Sequence, residues 1–135
     1  MTTARALLLT SAVVTLQRQQ LGIVGEDLAV AALIARGYSI VERRYTTERG
    51  EIDIIAEDGA TLVFVEVRAR ATGECGGAAE SVTRGKQLQV TRVALDYLAR
   101  HNITDRPCRF DVVAVDRALD AAPEITVYVA AFDAV

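Results

Sequence analysis

The chain reads as an α/β domain: a mixed central sheet flanked by helices, in the order helix, three strands, helix, two strands. Three observations predict this. Apolar residues recur at helical spacing over Leu21–Arg36 and again over Val82–Arg100. Five other segments are short β-branched or aromatic runs bounded by turn residues. With 135 residues, half of them hydrophobic, the chain has the size and apolar content of a single domain whose sheet needs cover on both faces.

In the first helix, Leu21, Val24, Leu28, Ala31, Ala32 and Ala35 form one stripe. Ile23, Val30, Leu33 and Ile34 form a second, which predicts burial on more than one side. Gly37 stands where a C-terminal glycine stop belongs. Tyr38–Tyr45 is the first strand, Thr46–Gly50 a polar turn, Glu51–Ala56 the second strand and Thr61–Ala69 the third, with Asp58-Gly59 as a tight-turn signal. A Gly-rich loop covers residues 70–80. The second helix follows, with Val82, Leu88, Val93, Leu95, Tyr97 and Leu98 as its apolar residues and Gly85 weakening its first turn. Arg109–Val115 and Glu124–Phe132 are the last strands, joined by a linker over 117–123.

Residues 1–20 read as a separate, loosely ordered segment or short helix, and residues 21–135 as the domain. Ala6–Leu16 is largely apolar and follows Arg5, as in a secretion signal. Thr10, Ser11 and Thr15 interrupt it, and Gln17, Arg18, Gln19 and Gln20 follow it in place of a small-x-small cleavage site. The run is also too short to span a bilayer. The expectation is a cytoplasmic protein with no membrane partner.

A net charge of -3 excludes a non-specific DNA coat, which needs a strongly basic surface. It leaves room for an enzyme that gathers carboxylates around a metal and keeps a local basic rim. The two cysteines, Cys75 and Cys108, form no disulfide framework, and His101 is the only histidine, so no zinc spacing exists.

The sharpest expectation comes from strand register. With Asp58 and Gly59 as the two central turn residues, Asp53 faces Phe64 and shares a sheet face with Glu66 and Arg68. Glu51 then falls opposite Glu66. Ile52, Ile54, Ala56, Val63, Val65 and Val67 collect on the other, apolar face. A one-residue slip would push acids into that apolar set. Clustered carboxylates stay ionised together only beside a cation, and hard oxygen donors suit Mg2+ or Mn2+. The same residues also fit ordinary solvated ion pairs.

The stretches LGIVGEDLA (21–29), RGYSIVERRY (36–45), RGEIDIIAEDG (49–59), LVFVEVRAR (62–70), ESVTRGKQ (80–87) and RFDVVAV (109–115) resemble, in order, the motifs of the YraN family. That bacterial family is similar in fold to archaeal Holliday junction resolvases and other restriction-endonuclease-like nucleases. The resemblance implies a restriction-endonuclease-like core. It matches Asp53 to the acid of a PD motif, Glu66 and Arg68 to the acid and base of an E-x-K motif, and Glu26 to an acid on the first helix. It implies Mg2+ or Mn2+ held by Asp53, Glu66 and the Val67 carbonyl.

The chain departs from the family pattern at Arg68, where lysine is usual. Arginine does not readily release a proton, so water activation there is in doubt, whereas its fork still grips phosphate. The loop over 73–79 lacks the usual aromatic and proline. Lys86, with Arg84 and Arg92, is a candidate replacement that would contact phosphates; a solvated helix face explains those three equally well. Asp111, in an apolar strand, reads as a buried partner for Arg109.

Three functions follow as expectations. The first is a metal-dependent nuclease hydrolysing phosphodiester bonds in branched or ordinary DNA, with RNA as the open alternative. The second is a nucleic-acid-binding module without catalysis, suggested by Arg68. The third is a protein-interaction scaffold, suggested by the acidic charge and few aromatics. DNA is the expected nucleic-acid partner, and a homodimer is open because resolvase-like relatives acting on symmetric junctions are dimers.

Overall fold

The computed structural model describes residues 24–70, 82–117 and 121–135. The expectations for residues 1–20, for Leu21 and Ile23, and for the Gly-rich loop with Cys75 lie outside the described residues. The elements are α1 (residues 24–35), β1 (Ser39–Thr47), β2 (Gly50–Asp58), β3 (Thr61–Arg70), α2 (Arg84–Arg100), β4 (Cys108–Asp116) and β5 (Glu124–Phe132). The five strands form one sheet in chain order. Only β3 and β4 run parallel; the other neighbours are antiparallel. A parallel pair needs a crossover, and α2 supplies it. The expected α/β architecture with a mixed sheet and a helix on each side is what the chain adopts.

Both helices end as their sequences allow. After α1, Gly37 takes a φ of +93, its N–H donates to the Ile34 carbonyl, and the Tyr38 N–H donates to the Leu33 carbonyl. That pair of bonds is a Schellman stop. Asn102, with a φ of +53, ends α2 in the same way, as Ile103 N–H reaches the Leu98 carbonyl. Helix α2 starts at Arg84, two residues later than Val82. The Thr83 hydroxyl caps it by accepting from the Lys86 N–H, which makes Val82 a buried residue ahead of the cap.

The core lies in two layers. Ala29 and Leu33 of α1 pack with Tyr38, Ile54, Ala56, Val63, Val65, Val113 and Val115 on one sheet face. Val90, Val93, Ala94 and Tyr97 of α2 pack with Tyr45, Ile52, Ile55, Leu62, Phe64 and Phe110 on the other. Each fully buried aliphatic or aromatic side chain contributes about 1.5–3 kcal/mol. Helix α1 is buried on one side only: Val24 and Ile34, expected to be covered, are exposed. Leu95, counted among the apolar residues of α2, is also exposed. An isolated apolar residue on a surface is tolerated, so the stripes overstated the cover.

The β2–β3 register differs from expectation by two residues. Asp58 pairs with Thr61 and Ile54 with Val65, so Gly59 and Ala60 are the central turn residues, and Gly59 has a φ of +58. A shift of two keeps every side chain on its face. The expected apolar face does break at one place. Ile52 belongs to the α2-side cluster and Ile54 to the α1-side cluster. Their cross-strand partners in β1, Tyr45 and Arg43, flank Arg44, which has a φ of +54. Strict alternation therefore stops at Arg44 and Asp53, and the ladder between β2 and β3 ends beside them.

Candidate active site

Continued by one residue past Ile54–Val65, the register sets Asp53 across from Glu66. There the strands part, and the Val67 N–H would lack an acceptor. The Asp53 carboxylate supplies one: its Oδ2 accepts from Val67 N–H at 2.8 Å. In return, the backbone N–H of Asp53 favours the charged form of Glu66. Two acids thus face each other across the opening of a ladder, each tied to the other's strand. Glu51, expected opposite Glu66, instead pairs with Thr46 and accepts from its hydroxyl at 3.1 Å.

Burial makes this pair reluctant to ionise. Glu66 is 3% exposed and its pKa is pushed up to about 8, first by desolvation and then by the charge of Asp53. Asp53 is also raised, mainly by desolvation, against the opposing pull of Val67 N–H and Lys86. Glu26 and Glu51 add repulsion. The Lys86 ammonium stands 3.7 Å from Glu66 Oε2 and 3.4 Å from Gln89 Oε1. Glu66 Oε1 is buried and has no hydrogen-bond partner. A buried, unsatisfied carboxylate oxygen is costly and calls for a proton or a cation.

Glu26 is buried on α1. Both its oxygens are taken by β1: Oε1 accepts from Arg43 Nε at 2.9 Å and Oε2 from Arg44 Nε at 3.1 Å. Arg43 also binds Asp27 at 2.7 Å. Glu26 therefore acts on Asp53 by its field while its oxygens stay with the arginines. Among the described residues, no group of three or more His, Cys, Asp or Glu side chains is set to hold a metal ion. The side-chain donors that could serve a hard cation here are the Asp53 and Glu66 carboxylates. Two carboxylates suffice for Mg2+, which keeps waters in its remaining positions.

Arg68 is exposed, two residues beyond Glu66 and level with Ala114 of β4. Arg84 and Arg92 are exposed on α2. Lys86 and Arg92 line a cleft of about 540 Å³ together with Arg49, Gly85, Leu88 and Gln89, while Arg84 is not among its lining residues. Asp111 lies apart from this site. It is fully buried and binds Arg109 through both oxygens, at 2.8 and 2.9 Å, with Tyr38 hydroxyl and Ala130 N–H as further donors. Cys108 is free and exposed. No helix among the described residues is long and apolar enough to cross a membrane.

Residues 25–115 match the model of a family described as uncharacterised protein family UPF0102. The chain belongs to the UPF0102 family. It is 49% identical over 107 residues to a UPF0102 protein of Geotalea uraniireducens, covering 79% of this chain and 84% of that one. A UPF0102 protein of Anaeromyxobacter dehalogenans is 45% identical over 116 residues, 86% of each chain. One from Chlorobaculum tepidum is 52% identical over 97 residues, 72% of this chain and 75% of that one. The resemblance to the YraN motifs was thus correct at the level of the family.

The UPF0102 match takes in Glu26, Asp53, Glu66, Val67, Arg68, Arg84, Lys86 and Arg92, and ends before β5. Two features of the site had no sequence reading. One is the use of Arg43 and Arg44 as partners of Glu26, a pairing that exists only once α1 has packed beside β1. The other is Arg49, in a turn read only as polar, which α2 turns into a wall of the cleft.

Proposed function

We propose that this UPF0102 chain is a metal-dependent nuclease of restriction-endonuclease-like kinship, hydrolysing phosphodiester bonds in DNA, branched DNA included, in the cytoplasm. The observation that carries this reading is the buried pair Asp53 and Glu66, with Glu66 Oε1 left without a partner. Asp53, Glu66 and the Val67 carbonyl would hold Mg2+ or Mn2+, whose hard-oxygen preference fits these donors. When bound, such a cation polarises a phosphoryl oxygen and lowers the pKa of water.

The chain's own residues do the rest. Val67 N–H fixes the Asp53 carboxylate, so its orientation does not depend on a ligand. The Lys86 ammonium, beside Glu66, offsets part of the pair's charge and faces an approaching phosphate. Arg68 steadies charge developing on the phosphate by its fork, and Arg84 and Arg92 hold neighbouring phosphates. Glu26 serves as a third acid through its field on Asp53. A homodimer would present two such sites to a symmetric junction.

Calorimetric titration with Mg2+ and Mn2+ of the chain and of Asp53→Asn tests the metal site. The expected result is binding to the parent chain alone. Cleavage of duplex, branched and single-stranded DNA with either metal tests the reaction. Activity unaltered by Asp53→Ala and Glu66→Ala would remove the pair from it.

A specific observation favours a second reading, binding of nucleic acid without cleavage. Lys86 already places a positive charge near Glu66, and Arg68 replaces the lysine that the YraN pattern carries. Salt-dependent DNA binding with no cleavage in either metal supports that reading.

A further inference from the structure

The cleft between α2 and the β1–β2 turn is built, and its lining is one-sided in charge. Among the described residues it is lined by three cations, Arg49, Lys86 and Arg92, with Leu88, Gln89 and Gly85 and no carboxylate. The wall is held in place by a close contact. Gln89 Nε2 donates to the Arg49 carbonyl at 3.1 Å, which ties the turn to the helix. The approach is so tight that a Cβ on Gly50 would lie 2.5 Å from Gln89 Nε2, and Gly50 has a φ of +142. The backbone angle is what calls for glycine; the Gln89 amide end, part of a flexible side chain, would have to swing away from any Cβ and give up its bond to the Arg49 carbonyl. The backbone from which Arg49 projects is thus tied to α2 by the Gln89 bond without any ligand, which reduces the ordering cost of binding.

Lys86 links this cleft to the acid pair. Its ammonium lines the cleft and stands 3.7 Å from Glu66 Oε2. A strand crossing the acid pair would be led past Lys86 into the cleft. Gly85 leaves room at the helix start and Leu88 offers an apolar surface to a sugar.

We propose that Arg49 and Arg92, on the frame held by Gln89 and Gly50, form a phosphate subsite for the nucleic-acid backbone next to the position at Asp53 and Glu66. This rests on the reading of that pair as the reacting centre. Each phosphate contact contributes about 0.7 (single strand) to 0.9 (duplex) to the slope of log affinity against log salt. Arg49→Ala/Arg92→Ala is therefore expected to lower the slope by roughly 1.4–1.8.

The experiment is fluorescence anisotropy of labelled single-stranded and duplex DNA over a salt series, with the full chain, the double variant and Arg36→Ala. Arg36 is an exposed arginine at the end of α1 and serves as the control for a lost surface charge. A shallower slope in the double variant and not in Arg36→Ala supports the subsite. Equal slopes in the parent and double variant overturn it. Displacement of DNA by inorganic phosphate at matching concentrations overturns the strand as ligand. Hydrolysis of bis(p-nitrophenyl) phosphate with Mn2+, by the parent chain and Asp53→Asn, is read separately. A lost slope with no hydrolysis keeps the subsite and rejects the nuclease. Hydrolysis with an unchanged slope does the reverse, and no DNA binding at low salt rejects the subsite.

Discussion

Glu66→Gln tests whether burial sets the ionisation of the acid pair. The Glu66 carboxyl is 3% exposed and is pushed up from 4.5 to about 8. In the unfolded chain it regains an ordinary value. Between those two pKa values the folded state keeps a proton that the unfolded state has released. Stability rises with pH where the unfolded state binds more protons, and here it binds fewer. The contribution is complete below the unfolded value and is lost as pH rises through about 8. At about 1.4 kcal/mol per pKa unit, the loss from roughly pH 5 to pH 8 is on the order of 3 kcal/mol. Asp53 is raised for the same reason and adds in the same direction. Glutamine has no such proton, so the variant should lose less stability over this range, by about that amount. Urea unfolding at several pH values in a chelator measures it. The slope with pH is the readout, because a fixed packing penalty does not alter it. Superimposable pH slopes for the two proteins would refute the burial argument. Adding Mn2+ near pH 8 should then stabilise the parent chain and leave the variant unmoved, since a metal needs the deprotonated carboxylate.

Two further outcomes follow from local geometry. Asp111→Ala strips a fully buried carboxylate from Arg109, Tyr38 and Ala130 but leaves Arg109 its bond to Asp58 at 3.0 Å, and should cost about 1–3 kcal/mol in chemical denaturation while leaving metal affinity in place. A loss under about 1 kcal/mol contradicts the buried network. Gly50→Ala places a methyl against Gln89 at a backbone angle that suits glycine, and should destabilise by about 1–3 kcal/mol and weaken DNA binding through Arg49. Unchanged thermal unfolding would show that the turn relaxes freely.

Much of this domain was legible from residue order alone. Helical and two-residue periodicities follow from local backbone geometry, so both helices and all five strands could be placed. Gly37 announced the end of α1 because a left-handed stop favours glycine. The nearness of Asp53 to Glu66 could be read from the hairpin, because a register error of two leaves both acids at the same end of the paired strands; the face parity used to reach it holds only as far as Ile54. Tertiary structure decided the rest. The turn centred on Gly59 and Ala60, not Asp58 and Gly59, and that choice set Asp53 across from Glu66. The broken alternation at Asp53 depends on β2 parting from β3, which no periodicity records. Exposure of Val24, Ile34 and Leu95 depends on how much of each helix the sheet can cover. Residues distant in the chain met only on folding: Glu26 with Arg43 and Arg44, Arg49 with Gln89, and Lys86 with Glu66. Sequence pattern encodes which way a side chain points along its own element; which charges become neighbours in low dielectric is a property of how the elements pack.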